Sequence, residues 1–467
     1  MNKIAVCFLA ALAALAGPAH AEVTFTYLFT GGYPLAMSDD GTVIAGNNRG
    51  DYGPFRWTQE TGRVSLGRAS APVLGTSAGT PGISADGTKV ASTIHSDDST
   101  FVTAGLWTLG QGWQQLMPPG PPDAGLIDNN LADVWGLSGD GTTVVGLYWR
   151  STGRAHASRW RSSTGTVDLG SSGNASRANG VNYDGSVIAG FDEHPVQGFR
   201  RACAWVNGQL SVLGSPDLPG EARAVNTYGN IVLGHQNDPI TNMRQAAMWK
   251  RNGGTWSATQ LLGYLPGTEP SYGLNTCYGA SADGNVVVGY CSYGGDPFGT
   301  TGFVWTPGTG IVEVNEFLAN HGILPDPSFT IQALTGVSPD GRLLLGYGQD
   351  VVAPFTTRAF MIRLDSPTDV AADPAGMRGR LLAFPNPVRS ATTLQFDLPG
   401  AESGALSIYD TCGRLVRRLL EGTVAAGPHR VQWDGRDATG ARVVSGIYYS
   451  RLETPSVRAI SKLVVLQ

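Results

Sequence analysis

A short turn recurs seven times between residues 38 and 346 and constrains the architecture of most of the chain. Each copy reads Ser or Asn, any residue, usually Asp and then Gly, followed by mostly apolar residues and usually a second Gly. The copies begin at Ser38, Ser84, Ser138, Asn182, Asn226, Ser281 and Ser338. Their turn glycines lie 46, 54, 44, 44, 55 and 57 residues apart, close to the length of a four-stranded propeller blade. The spacing therefore predicts a β-propeller with seven blades.

Aligning the copies predicts four strands in each repeat. A small residue stands two places before each turn, as expected for first strands that crowd around a propeller axis. The third strand ends in Trp in six copies, and we expect these side chains to pack between blades: Trp57, Trp107, Trp160, Trp205, Trp249 and Trp305. The last copy lacks a fourth strand after Ile362, while residues 24–29 form a spare strand before the first turn. We expect that strand to complete the seventh blade and remove an exposed sheet edge.

The third turn position is Asp in six copies, and Tyr228 is the exception. These turn residues are Asp40, Asp86, Asp140, Asp184, Asp283 and Asp340. We assign them a structural role, because Asp accepts backbone N–H bonds within its own turn while Gly supplies the positive φ. The turns also lack the alternating carboxylates of a calcium loop. No metal site and no cofactor are predicted.

The first 21 residues have the order of a secretory signal peptide, with Lys3, an apolar run over residues 4–16 and Ala-His-Ala at residues 19–21. We expect cleavage after Ala21 and a mature protein that is extracellular or on the outer cell surface. No later stretch has the roughly 20 apolar residues of a transmembrane segment. Of the four remaining cysteines, Cys277 and Cys291 flank one repeat strand. Two alternatives stay open for them, a disulfide in an oxidising compartment or buried free thiols.

Charge is distributed unevenly along the chain. Residues 378–467 hold 12 Arg and Lys against 7 Asp and Glu, whereas residues 22–377 carry a net charge of −11. Phosphate backbones are bound by clustered Lys and Arg. So acidic a repeat region therefore argues against a nucleic-acid partner.

Residues 156–190 resemble the extracellular HAF repeat. This copy reads His156-Ala-Ser-Arg-Trp160, then Asp168-Leu-Gly170, Ala178-Asn-Gly-Val-Asn182-Tyr-Asp-Gly185 and Val187-Ile-Ala-Gly190. The resemblance covers residues 24–365 as a series, although only the third copy keeps the His and several copies lose the Phe. The turn Ser338-Pro-Asp-Gly341 is also similar to turns of TolB-type propellers. The HAF resemblance implies an exported β-propeller and supplies no catalytic residues.

Residues 366–379 are rich in Asp, Pro and Ala and are predicted to be a linker. Alternating strands with frequent turns follow over residues 380–467 and predict a small β-sandwich. Segments such as Leu381-Leu-Ala-Phe-Pro-Asn-Pro387, Leu406-Ser-Ile-Tyr409 and Gly446-Ile-Tyr-Tyr449 resemble the FlgD-like immunoglobulin fold and the sorting domains of type IX secretion substrates. The resemblance implies an export and surface-attachment signal, or a terminal adhesion module. We therefore expect an all-β protein, with a seven-bladed β-propeller over residues 22–365 followed by an Ig-like β-sandwich.

The residue three places before each Ser or Asn is expected to line one end of the propeller channel. These residues are Leu35, Pro81, Trp135, Asn179, Arg223, Tyr278 and Thr335. Trp135 and Trp149 fall outside the Trp column, and with Tyr148 they are candidates for an aromatic platform that stacks on a sugar or a protein side chain. Alternatively, they pack the Pro-rich loop of residues 117–130. The candidate ligand-binding residues are therefore Trp135, Tyr148, Trp149, Asn179, Arg223 and Tyr278.

Two functions remain under consideration. The first is a secreted or cell-surface binding or scaffold protein, with a glycan or surface protein as partner and the type IX secretion machinery as a further one. The second is a polysaccharide lyase or hydrolase that uses a pair of loop carboxylates as acid and base. Its candidate residues are His95, Asp97, Asp98, Asp192, Glu193, His194, His235 and Asp238. No Ser/His/Asp arrangement and no metal-ligand spacing links them, so we favour the binding protein and assign no catalytic residue.

Overall fold

The computed structural model describes residues 23–50, 52–69, 79–119, 130–263, 265, 275–292, 299–351, 353, 356–364, 381–384, 388, 391–398, 400–411 and 413–465. The chain divides into two compact units, Met1–Val370 and Ala371–Gln467. The predicted signal peptide and the predicted linker lie outside the described residues. Within the described residues, no helix is long and apolar enough to span a membrane.

The first unit begins with β1 (Val23–Thr30), which belongs to the last sheet of the unit. The first sheet consists of β2 (Gly32–Met37), β3 (Val43–Asn48), β4 (Pro54–Thr58) and β5 (Gly62–Ser65). The second consists of β6 (Gly82–Ile83), β7 (Lys89–His95), β8 (Val102–Thr108) and β9 (Gly112–Leu116). The third consists of β10 (Ala132–Leu137), β11 (Thr143–Trp149), β12 (Ala155–Arg161) and β13 (Gly165–Asp168). In each sheet, neighbours along the chain pair antiparallel.

Four further groups of strands complete the first unit. The fourth sheet consists of β14 (Ser176–Val181), β15 (Val187–Glu193), β16 (Arg200–Val206) and β17 (Gln209–Val212). The fifth has β18 (Gly220–Val225), β19 (Ile231–Asn237) and β20 (Arg244–Asn252), with β21 (Thr255–Trp256) and β22 (Gln260–Leu261) both paired to β20. The sixth has β23 (Thr276–Ala280), β24 (Val287–Ser292), β25 (Thr300–Thr306) and β26 (Gly310–Glu313), followed by helix α1 (Val314–Asn320). The last has β27 (Phe329–Val337), β28 (Leu343–Asp350) and β29 (Thr357–Leu364).

The N-terminal strand β1 supplies the fourth strand of the last sheet. It pairs antiparallel with β29, from Val23 opposite Leu364 to Thr30 opposite Arg358. Its Phe25 ring stacks on Phe360 with centroids 4.8 Å apart. The prediction that a strand before the first turn completes the last sheet is therefore confirmed. Without β1, the edge of β29 that faces away from β28 would have no partner strand in this sheet.

The first strands of successive sheets contact one another in chain order. The contacts run from β2 to β6, β10, β14, β18, β23 and β27, and β27 in turn contacts β2. Between the last and the first sheet, Thr335 Oγ1 donates a hydrogen bond of 2.9 Å to the carbonyl of Pro34. Small antiparallel sheets packed side by side through their first strands are the arrangement of a β-propeller.

Small residues are needed where the first strands approach one another. A Cβ atom on Gly180 would lie 2.6 Å from the carbonyl oxygen of Arg223 in the next sheet. A Cβ atom on Gly82 would lie 2.5 Å from the backbone nitrogen of Leu137. Both distances are shorter than van der Waals contact, so the backbone approach requires glycine at these two positions.

The hydrophobic core of the first unit lies between neighbouring sheets. Trp205 packs with Val145 and Ala157 of the preceding sheet, and Trp249 packs with Ala189 and Ala202 in the same manner. Trp205 and Trp249 are fully buried, Trp57 and Trp305 are nearly so, and Trp107 and Trp160 are half-buried. The Trp column therefore fills the space between sheets, as its repetition predicts.

The recurring turns are closed by side-chain hydrogen bonds. In the first copy, Ser38 Oγ donates to Asp40 Oδ1 at 2.6 Å and accepts from the backbone nitrogen of Val43 at 3.0 Å. The same Ser-to-Asp bond of 2.6 Å occurs at Asp86, Asp140, Asp283 and Asp340, and Asn182 donates to Asp184 at 2.9 Å. These bonds fix the direction in which each second strand leaves its turn.

Backbone hydrogen bonds also join one turn to the next. They run from Asp39 to Ala85, Ala85 to Gly139, Asp140 to Tyr183, Tyr183 to Thr227 and Ala282 to Pro339, with N···O distances of 2.8–3.2 Å. Asn226 Nδ2 donates to the carbonyl of Ala282 at 2.8 Å and links the fifth turn to the sixth. We call the end of the sheets that carries these turns the turn end, and the opposite end the loop end.

The second unit contains two sheets. Its strands are β30 (Leu382–Phe384), β31 (Thr392–Leu398), β32 (Glu402–Asp410), β33 (Leu415–Val424), β34 (Gly427–Trp433), β35 (Gly446–Glu453) and β36 (Arg458–Val465). The strand orders are β30-β31-β34 and β33-β32-β35-β36. Both sheets contribute to one buried cluster, which includes Phe396 and Trp433 from one and Leu406 and Leu463 from the other. This is a β-sandwich, with Trp433 in its core.

The described cysteines Cys203, Cys277 and Cys291 are buried free thiols, so the disulfide considered for Cys277 and Cys291 is not formed. In the pairing of β23 with β24, Cys277 lies opposite Gly289, which places Cys291 two residues farther along the strand. The two residues are thus diagonal rather than directly opposed. Burial raises the pKa of Cys277 to about 12, so the thiol stays protonated at neutral pH.

Replacing Phe25 should weaken the last sheet. We expect Phe25→Ala to lower the free energy of unfolding by about 2 kcal/mol, below the loss for a fully buried Phe because Phe25 is only half-buried. Val64→Ala, in the outer strand of another sheet, removes an exposed side chain and should cost less than about 0.5 kcal/mol. Urea unfolding of both variants measures the difference. Equal losses would contradict the role assigned to β1.

Candidate ligand-binding site

The channel-lining positions predicted from the repeats coincide with irregularities in the first strands. Register shifts flank Leu35, Trp135, Asn179, Arg223, Tyr278 and Thr335, each of which is passed over in the pairing with the second strand. Such a β-bulge changes the direction of the side chain it carries. These residues thus occupy equivalent positions in six sheets, on the loop-end side of the turns.

Trp135 contacts an arginine of the next sheet. The guanidinium carbon of Arg177 lies 3.8 Å from the centroid of the Trp135 ring, a cation–π contact between β10 and β14. Arg177 Nε donates to Asn179 Oδ1 at 2.6 Å within β14. Asn179 Nδ2 donates in turn to the carbonyl of Ala222 at 2.7 Å. Two predicted residues are thereby joined through Arg177, which the sequence analysis did not single out.

Glu221 of β18 is the centre of these contacts. Its Oε1 accepts from Arg177 Nη2 at 2.6 Å and from Asn179 Nδ2 at 3.0 Å. Its Oε2 accepts from Arg200 Nη1 at 3.1 Å, and Arg223 Nε lies 3.2 Å from Oε1. Burial opposes ionisation of Glu221, but Arg223 and Arg177 outweigh it and hold the pKa at about 2. The carboxylate is therefore charged at neutral pH.

A fourth arginine and a tyrosine pair extend the network within the fifth sheet and into the sixth. Arg244 Nη2 lies 3.0 Å from Nδ1 of His235. Burial and the charge of Arg244 hold the pKa of His235 well below its ordinary value, so the imidazole is neutral and Nδ1 can accept this bond. Tyr278 and Tyr290 stack with ring centroids 5.6 Å apart. Burial raises the pKa of Tyr278 to about 12, while Arg223 and Arg244 oppose the rise.

We call this set of side chains the loop-end cluster. Its members are Trp135, Arg177, Asn179, Arg200, Glu221, Arg223, His235, Arg244, Tyr278 and Tyr290. It contains four of the six predicted ligand-binding residues, namely Trp135, Asn179, Arg223 and Tyr278. Arg177 and Glu221 share one repeat position, two places before the bulged residue, which is the sequence signal that could have found them.

Tyr148 and Trp149 do not stack with Trp135 as one platform. They are adjacent in β11, so their side chains leave opposite faces of the sheet. Tyr148 is buried, and its hydroxyl donates to Asp168 Oδ2 at 2.7 Å. Trp149 is half-buried, and its side chain lies close to Asp133. Of the Pro-rich loop proposed to cover these residues, residues 120–129 lie outside the described residues.

Asp133 is a buried carboxyl that is influenced by the charge of Arg177 in the loop-end cluster. Asn130 Nδ2 donates to its Oδ2 at 3.0 Å. Burial raises the pKa of Asp133 to about 6, against the opposing effects of Asn130 and Arg177. The carboxyl is therefore mostly ionised at neutral pH and close enough to Arg177 to feel its charge.

The residues considered for a lyase or hydrolase have local hydrogen bonds. Asp98 Oδ1 accepts from Ser96 Oγ at 2.6 Å, in a further copy of the repeat turn that has Ser99 at φ 57° in place of Gly. Asp97 forms an ion pair of 3.0 Å with Arg68. His95 Nδ1 lies 2.7 Å from the carbonyl oxygen of Ser96. This group holds the loop between β7 and β8.

The other acidic candidates are also bound within their own sheets. Asp192 is fully buried and accepts from Arg201 Nη2 at 2.7 Å and from Ser171 Oγ at 2.8 Å. Glu193 follows it at the end of β15. Asp238 Oδ1 accepts from two backbone amides of its own turn, at 2.8 and 2.9 Å. His194 Nδ1 accepts from the backbone nitrogen of Gln197 at 3.0 Å. Among the described residues, no group of His, Cys, Asp and Glu is arranged to hold a metal ion.

Glu221 should make folding sensitive to acid. Its pKa of about 2 lies below the ordinary 4.5, so its stabilising effect is present above about pH 4.5 and is lost as the pH falls towards 2. At pH 7, Glu221→Gln should destabilise the fold by about 3 kcal/mol, because the neighbouring arginines lose their buried partner. The difference from the parent protein should shrink between pH 5 and pH 3 in thermal unfolding. A pH-independent difference, or an equal loss in the exposed-turn variant Glu60→Gln, would contradict this assignment.

Comparison with known proteins gives a family for the C-terminal unit alone. Residues 388–456 match the family model of the FlgD Ig-like domain. FlgD from P. aeruginosa is similar over 19% of this chain and 74% of its own, with 23% identity and a TM-score of 0.15. No curated protein sequence matches the chain. The C-terminal unit is thus similar to FlgD Ig-like domains.

Solved structures similar to this chain include a β-propeller domain. TolB from Acinetobacter baumannii is 15% identical with a TM-score of 0.33, and the match covers 51% of this chain and 56% of TolB, so the chain spans just over half of that protein. The β-propeller domain of the Trilobed protease from Pyrococcus furiosus is 11% identical with a TM-score of 0.44, over 73% of this chain and 97% of that domain. The protein is an all-β chain with a propeller-like arrangement of sheets in its first unit and a C-terminal unit that is similar to the FlgD Ig-like domain.

Proposed function

We propose that the protein is a secreted or cell-surface binding protein, in which a seven-bladed β-propeller over residues 22–365 binds a glycan or a protein partner at its loop end. The loop-end cluster is the observation that carries this function. Its residues come from four consecutive sheets and combine aromatic rings with charged groups, and Arg200 keeps 52% of its side chain exposed. Aromatic residues and arginines in one patch are the composition of binding hot spots.

Seven sheets support the blade number, since the first strands of the described sheets contact one another from β2 to β27 and back to β2. In this proposal the sheets are HAF-like repeats, and β1 closes the ring in the last blade. Binding is favoured over catalysis because Asp98, Asp192 and Asp238 are engaged in loop or core hydrogen bonds. The lyase or hydrolase alternative therefore draws no support from these three carboxylates.

Export is the second part of the proposal. Residues 1–21 act as a signal peptide, and residues 380–467 act as a sorting domain recognised by type IX secretion machinery. The match of residues 388–456 to the FlgD Ig-like domain supports a separate terminal module. Its positive charge, opposite to that of the acidic repeat region, suits attraction to anionic components of the outer membrane.

A glycan array probed with the full mature chain tests the binding function. Trp135→Ala should weaken any binding at least tenfold, because the ring is a half-buried member of the loop-end cluster. The matched control is Trp256→Ala, a half-buried Trp in the outer strand β21 that should leave binding unchanged. Equal effects of the two variants would place the binding surface elsewhere.

Secretion of a truncated chain tests the sorting function. In a host with type IX secretion, the chain that ends at Asp365 should fold and stay in the periplasm, whereas the full chain should reach the surface or the medium. Immunoblotting of cell fractions measures both locations. Equal surface delivery of the two chains would refute sorting and leave the C-terminal unit as an adhesion module.

A further inference from the structure

We propose that the loop-end cluster binds the carboxylate of an acidic sugar, such as a uronic acid, and prefers it to the neutral sugar of the same ring. This inference rests on the proposed binding function and narrows its ligand class. It follows from the excess positive charge of the cluster, its unused hydrogen-bond donors and its aromatic surroundings.

The cluster holds more positive than negative charge. Arg177, Arg200, Arg223 and Arg244 face the single carboxylate of Glu221, with Asp133 as the next carboxyl. His235 adds no positive charge because its pKa lies well below the ordinary value. Four arginines against two carboxylates leave an excess of two positive charges. One further carboxylate would be attracted to this place and would reduce the repulsion among the arginines.

The arginines also have more donors than the protein uses. Each guanidinium carries five N–H donors, whereas one carboxylate has about four acceptor positions. The Nε atom of Arg244 is buried and has no hydrogen-bond partner among the described residues, and Arg223 Nε forms only an ion-pair contact of 3.2 Å with Glu221 Oε1. Arg223 keeps 22% of its side chain exposed and Arg200 keeps 52%, so a ligand can reach both from solvent. Planar guanidinium groups bind carboxylates through two parallel hydrogen bonds.

Aromatic rings flank these arginines on both sides. Trp135 lies against Arg177, and Phe191 lies 4.4 Å from the guanidinium carbon of Arg200. The stacked pair Tyr278 and Tyr290 lies in the sixth sheet. Phe191 is buried, whereas Trp135, Tyr278 and Tyr290 are half-buried, so these three rings can offer apolar faces to the C–H surface of a sugar. Tyr hydroxyls can bond its hydroxyl groups. A short anion with no ring, such as sulfate, would use the arginines and leave this surface unused.

The charge of the rest of the unit favours a ligand with a single negative charge at this place. Residues 22–377 carry a net charge of −11, and six turn carboxylates stand at the turn end, opposite to the cluster. A long polyanion would be repelled wherever it leaves the arginines. A single carboxylate on a sugar ring meets only the local positive field, which is screened beyond about 8 Å at physiological salt.

Titration of the full mature chain with D-glucuronate and D-galacturonate tests this inference, with D-glucose and D-galactose as neutral counterparts. In calorimetry, the uronates should bind with at least tenfold higher affinity than the neutral sugars. The affinity for the uronates should fall as the salt concentration rises. Arg200→Gln and Arg223→Gln should each weaken uronate binding about tenfold or more. The control Arg342→Gln removes an arginine at the turn end that is exposed to a similar degree, 41%, and should have no effect. Thermal unfolding checks that all variants remain folded.

The possible outcomes separate this inference from the function on which it rests. Equal binding of uronates and neutral sugars would overturn the carboxylate assignment and leave a glycan-binding protein. Binding of a triglutamate peptide without binding of any uronate would overturn it in favour of a protein ligand. Uronate binding that Arg200→Gln and Arg223→Gln leave unchanged would show that the site lies elsewhere. Absence of binding to uronates, peptide and the whole glycan array would overturn both proposals.

Discussion

The hydrogen bonds that link each turn to the next hold the first unit in register. Each turn is first closed within itself, by Ser or Asn bonded to Asp and to the start of the second strand. Backbone bonds such as Asp39 to Ala85 and Ala85 to Gly139 then join neighbouring turns. The first strands therefore start from equivalent positions and run side by side. Because their backbones come so close, the positions two places before the turns accept only small residues, as Gly180 illustrates.

The loop-end cluster is a consequence of this common register. Equivalent bulges occur one residue closer to the loop end than these small residues, and they place Trp135, Asn179, Arg223 and Tyr278 at the same level in four consecutive sheets. Arg177 and Glu221 each stand two places before a bulged residue, on its loop-end side. They contact each other across the boundary between the fourth and fifth sheets. The scaffold thus concentrates positive charge at one end while the turn carboxylates occupy the other. The proposed binding residues and the turns that order the sheets thus lie at different ends of the same strands.

Sequence periodicity predicted much of the fold because each repeat contains the residues that determine its own turns and strands. The turn residues, the Trp column and the spare strand at residues 24–29 all depend on patterns within about 50 residues. The bulged column was also recognisable, which is why Arg223 was selected. Glu221 was missed although it shares a repeat position with Arg177, because the residue type varies along that column. The role of Glu221 depends on arginines of three strands. Tyr148 was selected as a neighbour of Trp149, but its hydroxyl bonds to Asp168 and its side chain points away from the loop-end cluster.

The sequence by itself determined the strand order within each repeat, the turn chemistry and the separate C-terminal domain, since these follow from local preferences and short-range hydrogen bonds. Only the tertiary structure decided which side chains meet between sheets. Arg177 bonds to Glu221, which lies 44 residues away along the chain. The same holds for Cys277 and Cys291, whose diagonal positions in β23 and β24 keep them as thiols. Such pairings are set by packing of whole sheets, and no local pattern encodes them.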